Sequence, residues 1–150
     1  MTVRLTAPPP GEALPAVDRR LLRSRAVRVL RALHHARSEL SISLLGDARI
    51  AELNRSYRGR RRPTDVLAFS LLEGESAEHR GRLLGDVVIG VETAARQARG
   101  RHRGLDEEVA RLLIHGTLHL LGHDHLGEED TRAMRAEERR LWRVARAIDA

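Results

Sequence analysis

The 150-residue sequence predicts a single α+β domain. We expect a small mixed sheet of about four strands packed with about five helices, one of them a buried, histidine-bearing helix. Three observations carry this. Segments with strand and helix periodicity are mixed along the chain. Leu83-Leu84-Gly85-Asp86-Val87-Val88-Ile89-Gly90 is the most apolar strand candidate, so it belongs at the centre of the sheet. The stretch opening at Asp106 is apolar on most sides, with Val109, Leu112, Leu113, Leu120 and Leu121 around its histidines, and so reads as a buried helix.

Residues 2–7 alternate well enough for a short strand, and Pro8-Pro9-Pro10-Gly11 then break regular structure. Residues 15–37 read as a helix with an apolar stripe of Leu21, Leu22, Val29, Leu30 and Leu33, interrupted by Arg25. His34 and His35 near its C-terminus suit the helix dipole. Residues 39–45 alternate polar and apolar, as a half-buried strand does. Gly46-Asp47 turns the chain, and Asp47 is expected to cap a helix to about Tyr57, with Ile50 and Leu53 facing the core. A basic loop, 58–64, leads into a strand candidate at 65–71, and a polar loop over 73–82 leads into the central strand. Residues 91–101 look helical. The histidine-bearing helix follows, its first turn rich in acids that suit the dipole. Glu128-Glu129-Asp130 open a last helix to about Ile148, with Met134, Leu141, Trp142 and Ala145 as its packing face.

The chain has no cysteine, which excludes disulfides and thiolate ligands, so any metal must be held by His and carboxylate. No apolar run of about 18 residues suggests a membrane span, and the N-terminus lacks signal-peptide features, so a cytoplasmic protein is expected. All 27 basic residues are arginine and the net charge is +6. A GC-rich genome accounts for most of that bias, yet arginine forks match phosphate geometry whatever their origin. With one Phe, one Tyr and one Trp, recognition of several bases on aromatic platforms is not expected.

The sharpest signal is His115-Gly116-Thr117-Leu118-His119-Leu120-Leu121-Gly122-His123-Asp124-His125. His115 and His119 fall one turn apart on one helix face. Gly122 can end the helix with a positive φ and let the chain bring His125 back. Three imidazoles meeting in this way form a metal site with a coordination position left open. The metzincin proteases share the spacing but carry Glu directly after the first His, as general base. Gly116 stands there instead, which argues against protease chemistry. A glycine inside a helix also suggests close approach by substrate or by another backbone. Asp124 is either a turn residue or a group that orients an imidazole or supplies the missing base. His123 is expected to face solvent.

This stretch matches the H-G-x-L-H-L-x-G-x-D-H signature of the YbeY family of bacterial endoribonucleases. Leu53-Asn54-Arg55-Ser56-Tyr57-Arg58-Gly59, Pro63-Thr64-Asp65-Val66-Leu67-Ala68-Phe69-Ser70 and Leu84-Gly85-Asp86-Val87-Val88-Ile89 resemble further family segments in family order. Ala68 and Ser70 depart from the usual Ser and Pro. The resemblance implies one Zn²⁺ held by His115, His119 and His125, and metal-dependent cleavage of single-stranded RNA. It also implies maturation of the 16S rRNA 3′ end, a part in ribosome quality control, and partnership with the 30S subunit, ribosomal protein uS11 and the GTPase Era. It gives Arg58 functional importance.

The residues agree with that reading on their own terms. Arg55, Arg58, Arg60, Arg61 and Arg62 crowd the stretch before a strand. If that loop faces the histidines, Arg58 can hold a phosphate and stabilise transition-state charge, while the others attract RNA generally. The expected catalytic set is therefore Arg58, His115 and Asp124, with metal lowering the pKa of bound water toward about 7. Three histidines also suit Ni²⁺, Co²⁺ or Cu²⁺. Two other readings stay open: a ribosome-assembly factor that binds RNA and protein around a mainly structural metal, and, less favoured, a metalloprotease.

Overall fold

In the computed structural model the described residues are 3–6, 12–59, 62–70, 82–123 and 127–147, the side chain of Arg58 excepted. The alternation seen in the sequence sets strand β2 (Glu39–Leu45), whose Leu40, Ile42 and Leu44 all point into the core. Strand β1 (Val3–Thr6) pairs with it in parallel, as does β4 (Leu83–Gly90), while β3 (Val66–Ser70) closes the other edge antiparallel to β4. The sheet order is β1-β2-β4-β3, a mixed four-stranded sheet with β4 internal, as its strongly apolar composition predicts.

Five helices complete the domain: α1 (Arg19–Ala32), α2 (Asp47–Arg58), α3 (Val91–Gly100), α4 (Leu105–Leu120) and α5 (Glu128–Arg146). On one face of the sheet α1 and α4 bury Leu22, Ala26, Leu30, Val109 and Leu113 against β2 and β4. On the other, Ile50 of α2 covers Leu67 and Val88. A second cluster seals α5 onto α1 and α4 through Met134, Leu141, Trp142 and Ala145, the face expected from its spacing. α4 is thus packed on both flanks and has a single side left for polar residues.

Three local expectations are corrected. The first helix starts at Arg19 rather than 15, because Pro15 precedes an N-cap, Asp18, whose carboxylate accepts from the Leu21 amide at 3.0 Å. It ends at Ala32, and His34 (φ 62°) lies past the end in the left-handed region, so the two histidines close the helix rather than extend it. Asp47 does not cap α2. Gly46 is the N-cap, and the Asp47 carboxylate instead accepts from Thr93 Oγ1 and Arg96 Nη2, each at 3.0 Å. It therefore ties α2 to α3.

Arg25, the charge in the α1 stripe, also finds its reason. Its guanidinium lies 5.1 Å from the Trp142 ring centroid and donates to the Asp106 carbonyl at 3.3 Å. Arg111 sits 4.8 Å from the same ring centroid. A buried aromatic thus accepts a charged stem by cation–π attraction.

Candidate functional site: a paired-histidine cleft

The polar side of α4 carries Glu108, Arg111, His115 and His119. Their spacing of three or four residues aligns them on one face. His115 and His119 turn their Nε2 atoms toward each other at 3.1 Å, with the rings edge to face. Two nitrogens bound at 2.0–2.1 Å to one tetrahedral ion would stand about 3.3 Å apart. The donor set and its spacing therefore fit such an ion.

The end of α4 is fixed beside them. Gly122 takes φ 93°, and its amide donates to the His119 carbonyl while that of His123 donates to Leu118, both at 3.0 Å. This is a Schellman closure, and glycine holds the left-handed position at no steric cost. Ser70 Oγ donates to the Leu120 carbonyl at 3.2 Å. The Ser70 hydroxyl thus satisfies a helix-end acceptor. Asp124 and His125 lie outside the described residues, so the structure brings together two of the three expected ligands. His123 is half-buried.

Gly116 faces the sheet. A Cβ there would come within 2.8 Å of Val87 Cγ1 and 3.3 Å of Val66 Cγ2. On the sheet side the close approach at this glycine is made by valine side chains, and Gly116 also lines the cleft beside the histidines. Gly116 sets the depth at which α4 lies on β3 and β4, and so the position of the histidines on either side of it.

His115 and His119 open into a cleft of about 600 Å³ shared with Tyr57, Thr64, Asp65 and Phe69. The end of α2 therefore borders the cleft at Tyr57, the residue before Arg58. Asn54 is buried and donates its Nδ2 to the Arg62 carbonyl at 3.0 Å, tying that loop to α2. Arg62 is exposed. Arg55 is exposed and paired with Glu52, whose hydrogen bond and charge raise the guanidinium pKa further. Arg60, Arg61 and the Arg58 side chain lie outside the described residues.

Two carboxylates near His115 were not singled out from the sequence. Glu138 of α5 places Oε1 3.6 Å from His115 Nδ1, on the ring edge away from His119. Asp65 lines the cleft and accepts from Gln97 Nε2 at 3.2 Å. Glu138 lies in a charged run of a distant helix, and only its i+4 spacing from buried Met134 hinted at its direction. A smaller cavity of about 290 Å³ on the far side of His115 holds Glu138, Arg101, Arg103 and the fully buried Glu108. Arg101 and Arg103 both pair with Glu108, so the charge there is compensated.

The fold and site define a class: a small α+β domain whose buried helix presents paired imidazoles to an open cleft beside a basic loop. A family model described as Endoribonuclease YbeY matches residues 16–145. The chain belongs to the YbeY endoribonuclease family. It is similar to proteins named Endoribonuclease YbeY from Anaeromyxobacter sp. (strain Fw109-5) and Anaeromyxobacter dehalogenans (strain 2CP-C). Each is 47% identical over 150 residues, covering all of this chain and 75% of theirs. The Geobacter sulfurreducens protein of that name is 41% identical over 128 residues, covering 84% of this chain and 85% of its own. In fold the chain resembles the solution structure of TM1509 from Thermotoga maritima, with TM-score 0.64 and 23% identity over 95% of this chain and 88% of that one.

Proposed function

We propose that this protein is a zinc-dependent, single-strand-specific endoribonuclease that matures the 3′ end of 16S rRNA and acts in ribosome quality control. One observation carries the reading beyond family membership. Two imidazole Nε2 atoms converge at 3.1 Å in a cleft bordered by the end of α2. His115, His119 and His125 would hold the ion, which when bound supplies Lewis-acid activation of water and of a phosphoryl oxygen.

The chain's own residues do the rest. Glu138, with Oε1 3.6 Å from His115 Nδ1, faces that edge of the ring and favours the orientation that directs Nε2 into the cleft. Arg58 binds the scissile phosphate and meets the charge that develops on it. Asp124 takes the proton released from the attacking water. Arg55, Arg60, Arg61 and Arg62 draw the RNA backbone to this edge. An rRNA substrate makes the protein cytoplasmic, with the 30S subunit, ribosomal protein uS11 and the GTPase Era as its partners. Among the described residues no helix is long and apolar enough to cross a membrane.

Chelation followed by Zn²⁺ addition tests this. Cleavage of a single-stranded RNA should vanish and return, and Arg58→Glu should abolish it with the circular dichroism spectrum unchanged. Undiminished cleavage by protein shown to be metal-free would overturn the proposal.

A further inference from the structure

The sequence has too few aromatics for a multi-base platform, but the fold puts two of its three aromatic residues together at the cleft. Tyr57 is 68% exposed, the one large hydrophobic side chain left to solvent among the described residues. Its ring centroid lies 4.8 Å from that of Phe69, with the planes tilted at 57°. Phe69 is half-buried on β3 and packs on the cluster of Ile50, Leu67 and Val88. An exposed ring held from below in this way is ordered without the cost of fixing a free side chain. Both rings line the cleft that holds His115 and His119, and Tyr57 is the immediate neighbour of Arg58.

We infer that Tyr57, braced by Phe69, is a stacking platform for one unpaired nucleobase next to the phosphate held in the histidine cleft. The inference deepens the endoribonuclease reading and rests on it for the position of that phosphate. An aromatic face takes any nucleobase, because each has a π-surface, so the platform confers no sequence preference. It does confer strandedness. In a duplex the nucleobases are already stacked and their faces are unavailable, whereas a single strand can splay one onto the ring. The basic edge supplies the complementary half of the site, attraction for the backbone.

Two measurements on the full chain test this. The first is the affinity for a labelled single-stranded RNA, read by fluorescence anisotropy in the His115→Ala background so that cleavage does not intervene. Tyr57→Ala should weaken binding about ten-fold, the scale of one nucleobase–aromatic stack, while Tyr57→Phe stays within about two-fold. The second moves a single abasic residue along the RNA. Protein with Tyr57 should lose affinity at one position, and Tyr57→Ala should be indifferent there. Binding by Tyr57→Ala within two-fold of the parent, or equal sensitivity of both proteins at every abasic position, would overturn the inference. Position-specific, Tyr57-dependent binding by a protein that cleaves no RNA would retain the platform and discard the catalytic reading. Cleavage without Tyr57 dependence would do the reverse.

Discussion

Single residues decide how the histidines are held. Gly116 lies between them and against Val87, which is fully buried and has no room to retreat. Gly116→Ala gains about 1 kcal/mol of helix propensity but incurs overpacking of about 1–3 kcal/mol. We expect net destabilisation of about 1 kcal/mol, read as a lower urea midpoint. Gly116→Glu, the protease residue at this place, would put a carboxylate against the two valines. It should unfold the protein rather than confer proteolysis. Glu138 faces His115 across 3.6 Å, and the proposed site gives it an orienting part there. Glu138→Gln keeps an acceptor oxygen and should hold metal affinity within a few-fold of wild type. Glu138→Ala should lower it about ten-fold or more in a competition titration with a chromophoric chelator. Equal affinities for all three proteins would show that the carboxylate does not orient the ring.

Helices and strands differ in how much of them the sequence reveals. The bounds of β2 follow from its alternation, and the buried face of α5 from its spacing, because both patterns are local. The start of α1 is less legible, since its apolar stripe gives no sign of which acid caps it. The role of Asp47 is set by Thr93 and Arg96 of α3, contacts that no local pattern encodes. The same holds at the site. His115, His119 and Gly122 could be read from spacing within one helix and its cap. Glu138 and the Tyr57–Phe69 pair arise where distant elements meet. Glu108 was read as a dipole partner in the first turn of α4, yet it is fully buried against Arg101 and Arg103. Glu108→Ala leaves Arg101 half exposed to water and Arg103 beside Glu107, so it should cost about 1 kcal/mol in chemical denaturation. On α5 the Arg140 hydrogen bond, and secondarily its charge, hold the Glu137 carboxyl below its ordinary value. A depressed folded pKa stabilises above the unfolded value and is lost as pH falls through the folded one. Wild type should therefore lose slightly more stability than Glu137→Gln on acidification below about pH 4.5. The difference stays small because the pair is partly exposed.

At the scale of the molecule, the mixed sheet and the sandwiching of α4 serve one end. The parallel β1-β2-β4 core fixes a floor, antiparallel β3 brings its flank beside the basic loop, and α5 closes over α4 with Glu138 facing His115. The topology was legible as a class because β4 is the most apolar of the strands, broken only by Asp86. Its strand order was not, since pairing depends on crossovers that periodicity does not report. The whole arrangement makes sense if the imidazoles hold a metal that cleaves RNA, and that claim is open to one direct comparison. Wild type and His115→Ala, purified identically, are analysed for bound metal and assayed on a 16S rRNA 3′-end precursor. Wild type should carry about one Zn²⁺ per chain and cleave the precursor. His115→Ala should lose the metal and the cleavage while remaining folded. Undiminished cleavage by a folded, metal-free His115→Ala protein would contradict the account.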